Sequence, residues 1–178
     1  MNPKKSSLTT KQPLRRKTPL RAKRYPKPKE KTIFDATEVK TKKRQPSRKT
    51  LMDNADAAFS LFIRTRDSQA NEGRAFTCIS CNRTLTIGQA DNGHYCNRQH
   101  MSLRFSELNC NAQCRHCNRF MEGNIQGYRQ GLIRKIGEQK VLLLEAQKNI
   151  PTKISNFELE LLAKHYKEET KKFKYQIK

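Results

Sequence analysis

The chain has 178 residues, with 38 Lys+Arg against 16 Asp+Glu, and its formal net charge of +22 is far beyond what solubility needs. Such an excess predicts a polyanionic partner, a nucleic acid ahead of an acidic membrane surface. The longest purely aliphatic run, Val141 to Leu144, is too short to span a bilayer, and no apolar segment near the N-terminus reads as a secretory signal.

Residues 1–50 hold 18 of the Lys+Arg and three acids, Glu30, Asp35 and Glu38, together with six of the seven prolines. Apolar residues are sparse there and follow no period. Residues 1–49 therefore read as a disordered basic tail, because they cannot bury enough surface to offset ordering entropy. Pro3, Pro13, Pro19, Pro26 and Pro28 favour extended chain. Extension spreads Arg15, Arg16, Lys17, Arg21, Lys23 and Arg24 along a phosphate backbone, an interaction sensitive to salt through counterion release. A solubilising tail or a nuclear localisation signal are the plainer alternatives.

Residues 50–178 read as one α+β domain. Over 50–67, Leu51, Ala55, Ala58, Phe59, Phe62 and Ile63 make one apolar stripe at helical spacing. Thr50 is the expected N-cap, and Arg64 and Arg66 suit the last turn. Asn71-Glu72-Gly73 reads as a loop. In the central segment, 76–122, Phe76 to Cys81 reads as a zinc knuckle and Leu85-Thr86-Ile87 as a short strand. Asp91-Asn92-Gly93 has hairpin-turn composition, which would put His94-Tyr95-Cys96 on the returning strand.

Residues 123–178 read as helical. Gly123, Gly127, Gly131 and Gly137 weaken the first part, but Ile125, Tyr128, Leu132, Ile133 and Ile136 keep the period. A second short helix holds Val141 to Leu144, and Pro151 breaks the chain. Ser155-x-x-Glu158 is a capping box, with Ile154 and Leu159 as its hydrophobic staple. Phe157, Leu161 and Leu162 are the expected packing residues of the last helix, and its end from Lys164 onward is expected to fray.

The chemistry gathers between two C-x-x-C pairs, Cys78 with Cys81 and Cys114 with Cys117. Two intervening residues let both thiolates of a pair reach one ion, and two pairs supply the soft donors of a closed tetrahedral zinc site. With no secretory signal, zinc in a reducing compartment is favoured over disulfides. Such a site contributes on the order of 10–16 kcal/mol, which would compensate for a small core. Unrelated thiol pairs or redox motifs are the alternatives. Cys96 and Cys110 read as buried apolar residues, although they and His100 could compete as ligands.

Three residues between and beside these pairs stand out: His94, Asn109 and Asn118, the last directly after Cys117. Their arrangement resembles an HNH nuclease of the zinc-stapled type, with a ββα-metal core. Phosphodiester hydrolysis needs a base near water and a cation on the phosphate oxygens. Neutral imidazole can take the proton, and an oxygen-ligated Mg²⁺ or Mn²⁺ can stabilise the developing charge.

A longer string, Asp91-x-Gly93-His94-Tyr95, Arg98, Leu103-Arg104-Phe105-x-Glu107-x-Asn109, Gln113-Cys114-x-x-Cys117-Asn118, Gly123-Asn124 and Tyr128, resembles the NinG/Rap family of phage recombination endonucleases. The flanks, Ala58-Phe59 with Phe62-Ile63-Arg64 and Leu132 to Gly137, resemble it too. The resemblance implies a structure-specific endonuclease on branched DNA such as Holliday junctions or D-loops, phage-encoded and working in the bacterial host cytoplasm. It implies His94 as general base and Asn118 as ligand of the catalytic ion. Asn109 would orient the loop or the His. Many HNH enzymes carry a metal-binding Asp directly before the catalytic His; here that position is Gly93, and Asp91 is the nearest carboxylate. Asp91 is therefore the expected second ligand, with a turn residue as the alternative. Arg98 and Arg104 are candidate phosphate-binding residues, and Arg104 could equally anchor the fold through a carboxylate. Symmetric junction cutting would require a homodimer, with the C-terminal helices as candidate interfaces, and other phage recombination factors are candidate partners. The competing readings are a non-catalytic zinc-finger nucleic-acid binder and a basic scaffold protein.

Overall fold

The structure, a computed structural model, describes residues 45–177. The expected tail, with the phosphate binding assigned to Arg15, Arg16, Lys17, Arg21, Lys23 and Arg24, lies outside the described residues.

The first helix, α1, spans Arg48–Ser68. It begins earlier than Thr50 because Ser47 is its N-cap: the Ser47 Oγ accepts the Thr50 N–H at 3.2 Å. The whole predicted stripe, Leu51, Ala55, Ala58, Phe59, Phe62 and Ile63, is buried. It packs on the last helix, α4, Asn156–Lys171. The Tyr166 ring of α4 lies 4.7 Å from the Phe59 ring and 4.9 Å from Phe62, centroid to centroid.

α4 opens with the expected capping box. The Ser155 N–H donates to Glu158 at 2.6 Å and the Glu158 N–H to Ser155 Oγ at 3.2 Å. Ile154 and Leu159 both join the α1/α4 core. Of the expected packing residues, Leu162 packs against the core, but Phe157 is 68% exposed and Leu161 49%, while Leu159, Ala163, Tyr166 and Thr170 point inward. The staple fixes the rotation of the helix and turns Phe157 outward. The end does not fray at Lys164 either. Past the helix, the Tyr175 N–H donates to Gln69 Oε1 at 3.1 Å and Gln69 Nε2 to the Tyr175 carbonyl at 2.7 Å.

In chain order, two small antiparallel sheets come between these helices. β1 (Ala75–Thr77) pairs with β2 (Thr84–Thr86). β3 (Ala90–His94) pairs with β4 (Cys110–Cys114), with Asp91 opposite Gln113 and His94 opposite Cys110. Asp91-Asn92-Gly93 is thus strand, not turn, and His94 ends the first strand of its pair rather than starting the second. The glycine serves close approach: a Cβ on Gly93 would lie 2.4 Å from Gln113 Oε1 and 2.8 Å from Gln113 Cβ. Residues 95–109 form the return connection.

Two helices close the other side, α2 (Ile125–Ile136) and α3 (Glu138–Gln147). Tyr128, Leu132, Val141 and Leu144 pack there with Cys96 and Leu103. Gly127 and Gly131 face the first C-x-x-C turn so closely that added Cβ atoms would lie 2.5 Å from the Ser80 carbonyl oxygen and 2.0 Å from that of Ile79. The architecture is a mixture of helices and two-stranded sheets. Among the described residues, no helix is long and apolar enough to cross a membrane.

Candidate functional site

Cys78 and Cys81 sit in the turn between β1 and β2. Cys114 ends β4, and Cys117 lies in the single helical turn His116–Phe120 that follows. The four Sγ atoms all lie within 4.8 Å of one another, and Cys81 Sγ is 3.9 Å from Cys114 Sγ. Metal–sulfur bonds of about 2.3 Å in a tetrahedron separate sulfurs by about 3.8 Å, so the cluster has the size to bind a metal such as zinc. N–H groups surround the sulfurs: the Cys114 amide donates to Cys78 Sγ at 3.3 Å and the Cys117 amide to Cys114 Sγ at 3.4 Å. Asn124, which caps α2 by accepting the Gly127 N–H, also donates its side-chain amide to Cys117 Sγ at 3.5 Å. Burial raises the thiol pKa of Cys78, and that of Cys117 to about 12. Burial acts in the same sense on Cys81, but hydrogen bonds from Arg83, Cys78 and Cys117 together outweigh it and lower that thiol to about 6. Cys96 and Cys110 stand outside the cluster, both buried.

Beside the cluster lies a cleft of about 380 Å³ lined by His94, Arg98, Asn118 and Glu122 among others. His94 Nε2 is 3.1 Å from the carbonyl oxygen of Arg104. A carbonyl only accepts, so Nε2 carries the proton of the neutral ring and Nδ1 keeps its lone pair. Burial, aided by the Arg98 charge, lowers the His94 pKa to about 4, against the opposing pull of the Arg104 and Asn92 carbonyls. The imidazole is neutral at pH 7.

Arg104 is fixed from behind. Its Nε donates to Asp56 Oδ1 at 3.0 Å, its Nη2 to Asp56 Oδ2, and its Nη1 to the Arg98 carbonyl at 3.1 Å. The guanidinium anchors the 95–109 connection to α1 through a carboxylate, one of its two expected roles. Arg98 is exposed and lines the cleft.

Asn109 is fully buried. Its Oδ1 accepts the Cys96 N–H at 2.7 Å, and its Nδ2 donates to the carbonyls of Cys96 (3.0 Å) and Leu103 (3.1 Å). It clamps the connection to the base of β4 and does not line the cleft. The Tyr128 hydroxyl donates to the Gly93 carbonyl at 2.9 Å, tying α2 to the residue before His94.

Asp91 and Asn118 meet: Asn118 Nδ2 donates to Asp91 Oδ2 at 3.0 Å. Arg119 holds both Asp91 oxygens at 2.7 Å. Although partial burial raises it, Arg119 and Asn118 keep the Asp91 carboxyl below its ordinary pKa. The fold thus brings His94, Arg98 and Asn118 to one cleft, ties Asp91 to Asn118 by a hydrogen bond, and leaves Asn109 and Arg104 out of its lining. Sequence reasoning misses Asp56, which carries no local signal: its partner Arg104 is 48 positions away.

A model of the family described as "Bacteriophage Lambda NinG protein" matches residues 2–176. The chain belongs to the NinG family. Protein ninG of Escherichia phage lambda is 42% identical over 96 residues, covering 53% of this chain and 44% of that relative. Protein ninG of Escherichia phage 933W gives the same figures, and that of Salmonella phage P22 is 44% identical over 84 residues, 47% of this chain and 38% of the relative. The matches therefore span less than half of each NinG relative's own length. No solved structure matches the chain. In this NinG-family chain the cysteine cluster and the cleft join at one peptide bond, Cys117–Asn118.

Proposed function

We propose that the chain is a metal-dependent, structure-specific DNA endonuclease, acting on branched recombination intermediates such as Holliday junctions or D-loops. The observation that carries the reading is the placement of His94: its Nε2 is held by the Arg104 carbonyl, and it shares a cleft with Asn118 and Arg98, while burial favours the neutral ring. Nδ1 is then the base that accepts a proton from attacking water. The order β3, connection 95–109, β4 and helical turn 116–120 follows the ββα sequence of an HNH core, which supports the same reading.

The cysteine cluster would hold a structural zinc. The Asn118 carbonyl oxygen and the Asp91 carboxylate are hard donors, and two protein oxygens completed by water form a ligand set that Mg²⁺ or Mn²⁺ accepts. When bound, the ion supplies positive charge to the phosphate oxygens. Arg98 would hold a neighbouring phosphate, and the net charge of +22 would draw the chain to DNA. The same reading places the protein in the host cytoplasm, with a second copy of the chain and other recombination factors as partners.

One observation favours a second reading, a non-catalytic zinc-finger nucleic-acid binder: both Asp91 oxygens are already engaged by Arg119 and Asn118. The test incubates purified protein with Mg²⁺ or Mn²⁺ and labelled four-way, forked and linear DNA, beside His94→Ala. Cutting by wild type and none by the variant is the expected result. Equal cutting by both overturns the role of His94, and binding without cutting by either selects the second reading.

A further inference from the structure

Immediately past Asn118 the chain exposes apolar surface that the fold does not use. Phe120 is 78% exposed, Met121 47% and Ile125 46%. Among the described residues, Phe120 is the most exposed of the large apolar side chains. Solvent exposure of an aromatic costs stability, and nothing in the packing of β4 or α2 calls for one here.

Phe120 does not itself line the cleft, but it lies in the chain between residues that do. Asn118, two residues before it, and Glu122, two residues after it, both line the cleft, and so does Ile125. Consecutive Cα atoms are about 3.8 Å apart, so the Phe120 Cα lies within about 8 Å of each neighbour's. The ring is also backed: the His116 imidazole lies 6.2 Å away, centroid to centroid, with the planes 29° apart. Arg98, exposed, lies on the same cleft, and the exposed Arg115 precedes His116, while Arg119 beside Phe120 is already paired with Asp91. The result is a flat apolar step among cations. A nucleobase has an apolar face and a phosphate on either side, and this arrangement complements both.

In a continuous duplex the base faces are already stacked on each other. Only a strand with an unpaired or unstacked base can offer a face to a protein ring. The geometry points to Phe120, supported by His116, as a stacking platform for an unpaired nucleobase of the DNA strand whose phosphate enters the cleft. This inference rests on the endonuclease reading for the identity of the ligand, and it gives that reading a physical source of preference for branched over continuous DNA.

The test uses the full, zinc-loaded chain without added Mg²⁺. The probes are a forked DNA with 2-aminopurine at the unpaired branch position and a fully paired duplex of the same composition. Wild type should bind the fork more tightly than the duplex and quench the 2-aminopurine. Phe120→Ala should lower the fork-to-duplex affinity ratio about ten-fold, within the range for loss of one base–aromatic stack, and abolish the quench. Phe120→Trp should retain both. Metal content and thermal melting of each variant report folding, which an exposed side chain should leave intact. The inference is overturned if wild type shows no fork preference, if Phe120→Ala keeps the ratio and the quench, or if it weakens fork and duplex equally. Cleavage by wild type with Mg²⁺, assayed in parallel, separates the two readings. A chain that stacks but never cuts retains this inference and loses the endonuclease. A chain that cuts without stacking does the reverse.

Discussion

The carbonyl oxygen of Arg104 lies 3.1 Å from His94 Nε2, and the side chain of the same arginine is bound through two donors to Asp56 on α1. One residue therefore fixes the tautomer of the imidazole with its backbone and its own position with its guanidinium. Asp56 becomes a positioning residue for a ring it does not touch. Asp56→Ala should lower single-turnover cleavage by about 10–100-fold, the range for loss of an outer-shell orienting partner. Stability should fall by about 1–3 kcal/mol in urea titration, because a half-buried guanidinium loses its partner. Asp56→Glu should restore part of the rate.

The lowered pKa of His94 has a definite sign. Above pH 6.5 the ring is neutral in folded and unfolded chains, and the linkage vanishes. Between pH 6.5 and about 4 the unfolded chain takes up a proton that the folded ring refuses, so stability falls as pH falls through that window. The loss is on the order of 3 kcal/mol once complete below the folded-state value. His94→Ala should remove this component, and the difference between the two denaturation profiles, measured with zinc retained and no added Mg²⁺, reads it out. The base limb of the cleavage profile should correspondingly stay flat down to about pH 5, one unit above the folded-state value.

Four sulfurs within 4.8 Å of one another predict about one metal ion per chain by elemental analysis. Chelation, or Cys117→Ala, should release the turn that carries Asn118 and melt β1–β4 as judged by circular dichroism. The α1/α4 core, which contains none of the four cysteines, should retain helical signal longest.

Gly131→Ala should destabilise the fold, although alanine ordinarily gains about 0.5–1 kcal/mol over glycine inside a helix. The added carbon would meet the Ile79 carbonyl at 2.0 Å and lever α2 away from the first cysteine pair. A net loss of about 1–3 kcal/mol is expected. Gly88→Ala, with nothing within 4 Å of its added carbon, is the near-neutral control.

Removing residues 1–44 should weaken binding to every DNA shape. It should also flatten the slope of log affinity against log salt by about 0.9 for each phosphate that the tail no longer neutralises. An unchanged slope would exclude the tail from DNA binding.

The stripe of α1 and the capping box of α4 are legible in the sequence because a helix writes its buried face and its first turn into neighbouring positions. The cysteine cluster is legible because its spacing encodes its chemistry. The β3/β4 pair is not, because Asp91-Asn92-Gly93 has the composition of a turn, whereas Gly93 is there to admit Gln113 from the facing strand. Phe157 misleads because an apolar residue near a helix start looks inward until the staple of Ile154 and Leu159 sets the rotation. That Arg104 could anchor the fold through a carboxylate is legible, but its partner Asp56 is not, since an ion pair between a helix acid and a loop arginine 48 positions away leaves no pattern in the helix.

α1 and α4 also say something about how the chain is made. The Arg48 guanidinium, in the first turn of α1, donates to Asn156 Oδ1 at 3.0 Å and to the Ile154 carbonyl at 2.8 Å, across more than a hundred residues. The aromatic face that α1 buries meets Phe105, whose ring lies 5.7 Å from that of Phe59, part-way through synthesis, but its main cover, Tyr166 and Phe173, comes only near the end of the described chain. Synthesis delivers the cysteine turns, β3, β4 and the cleft while most of that greasy helix is still uncovered, and the segment that completes its cover, α4, emerges after all of them.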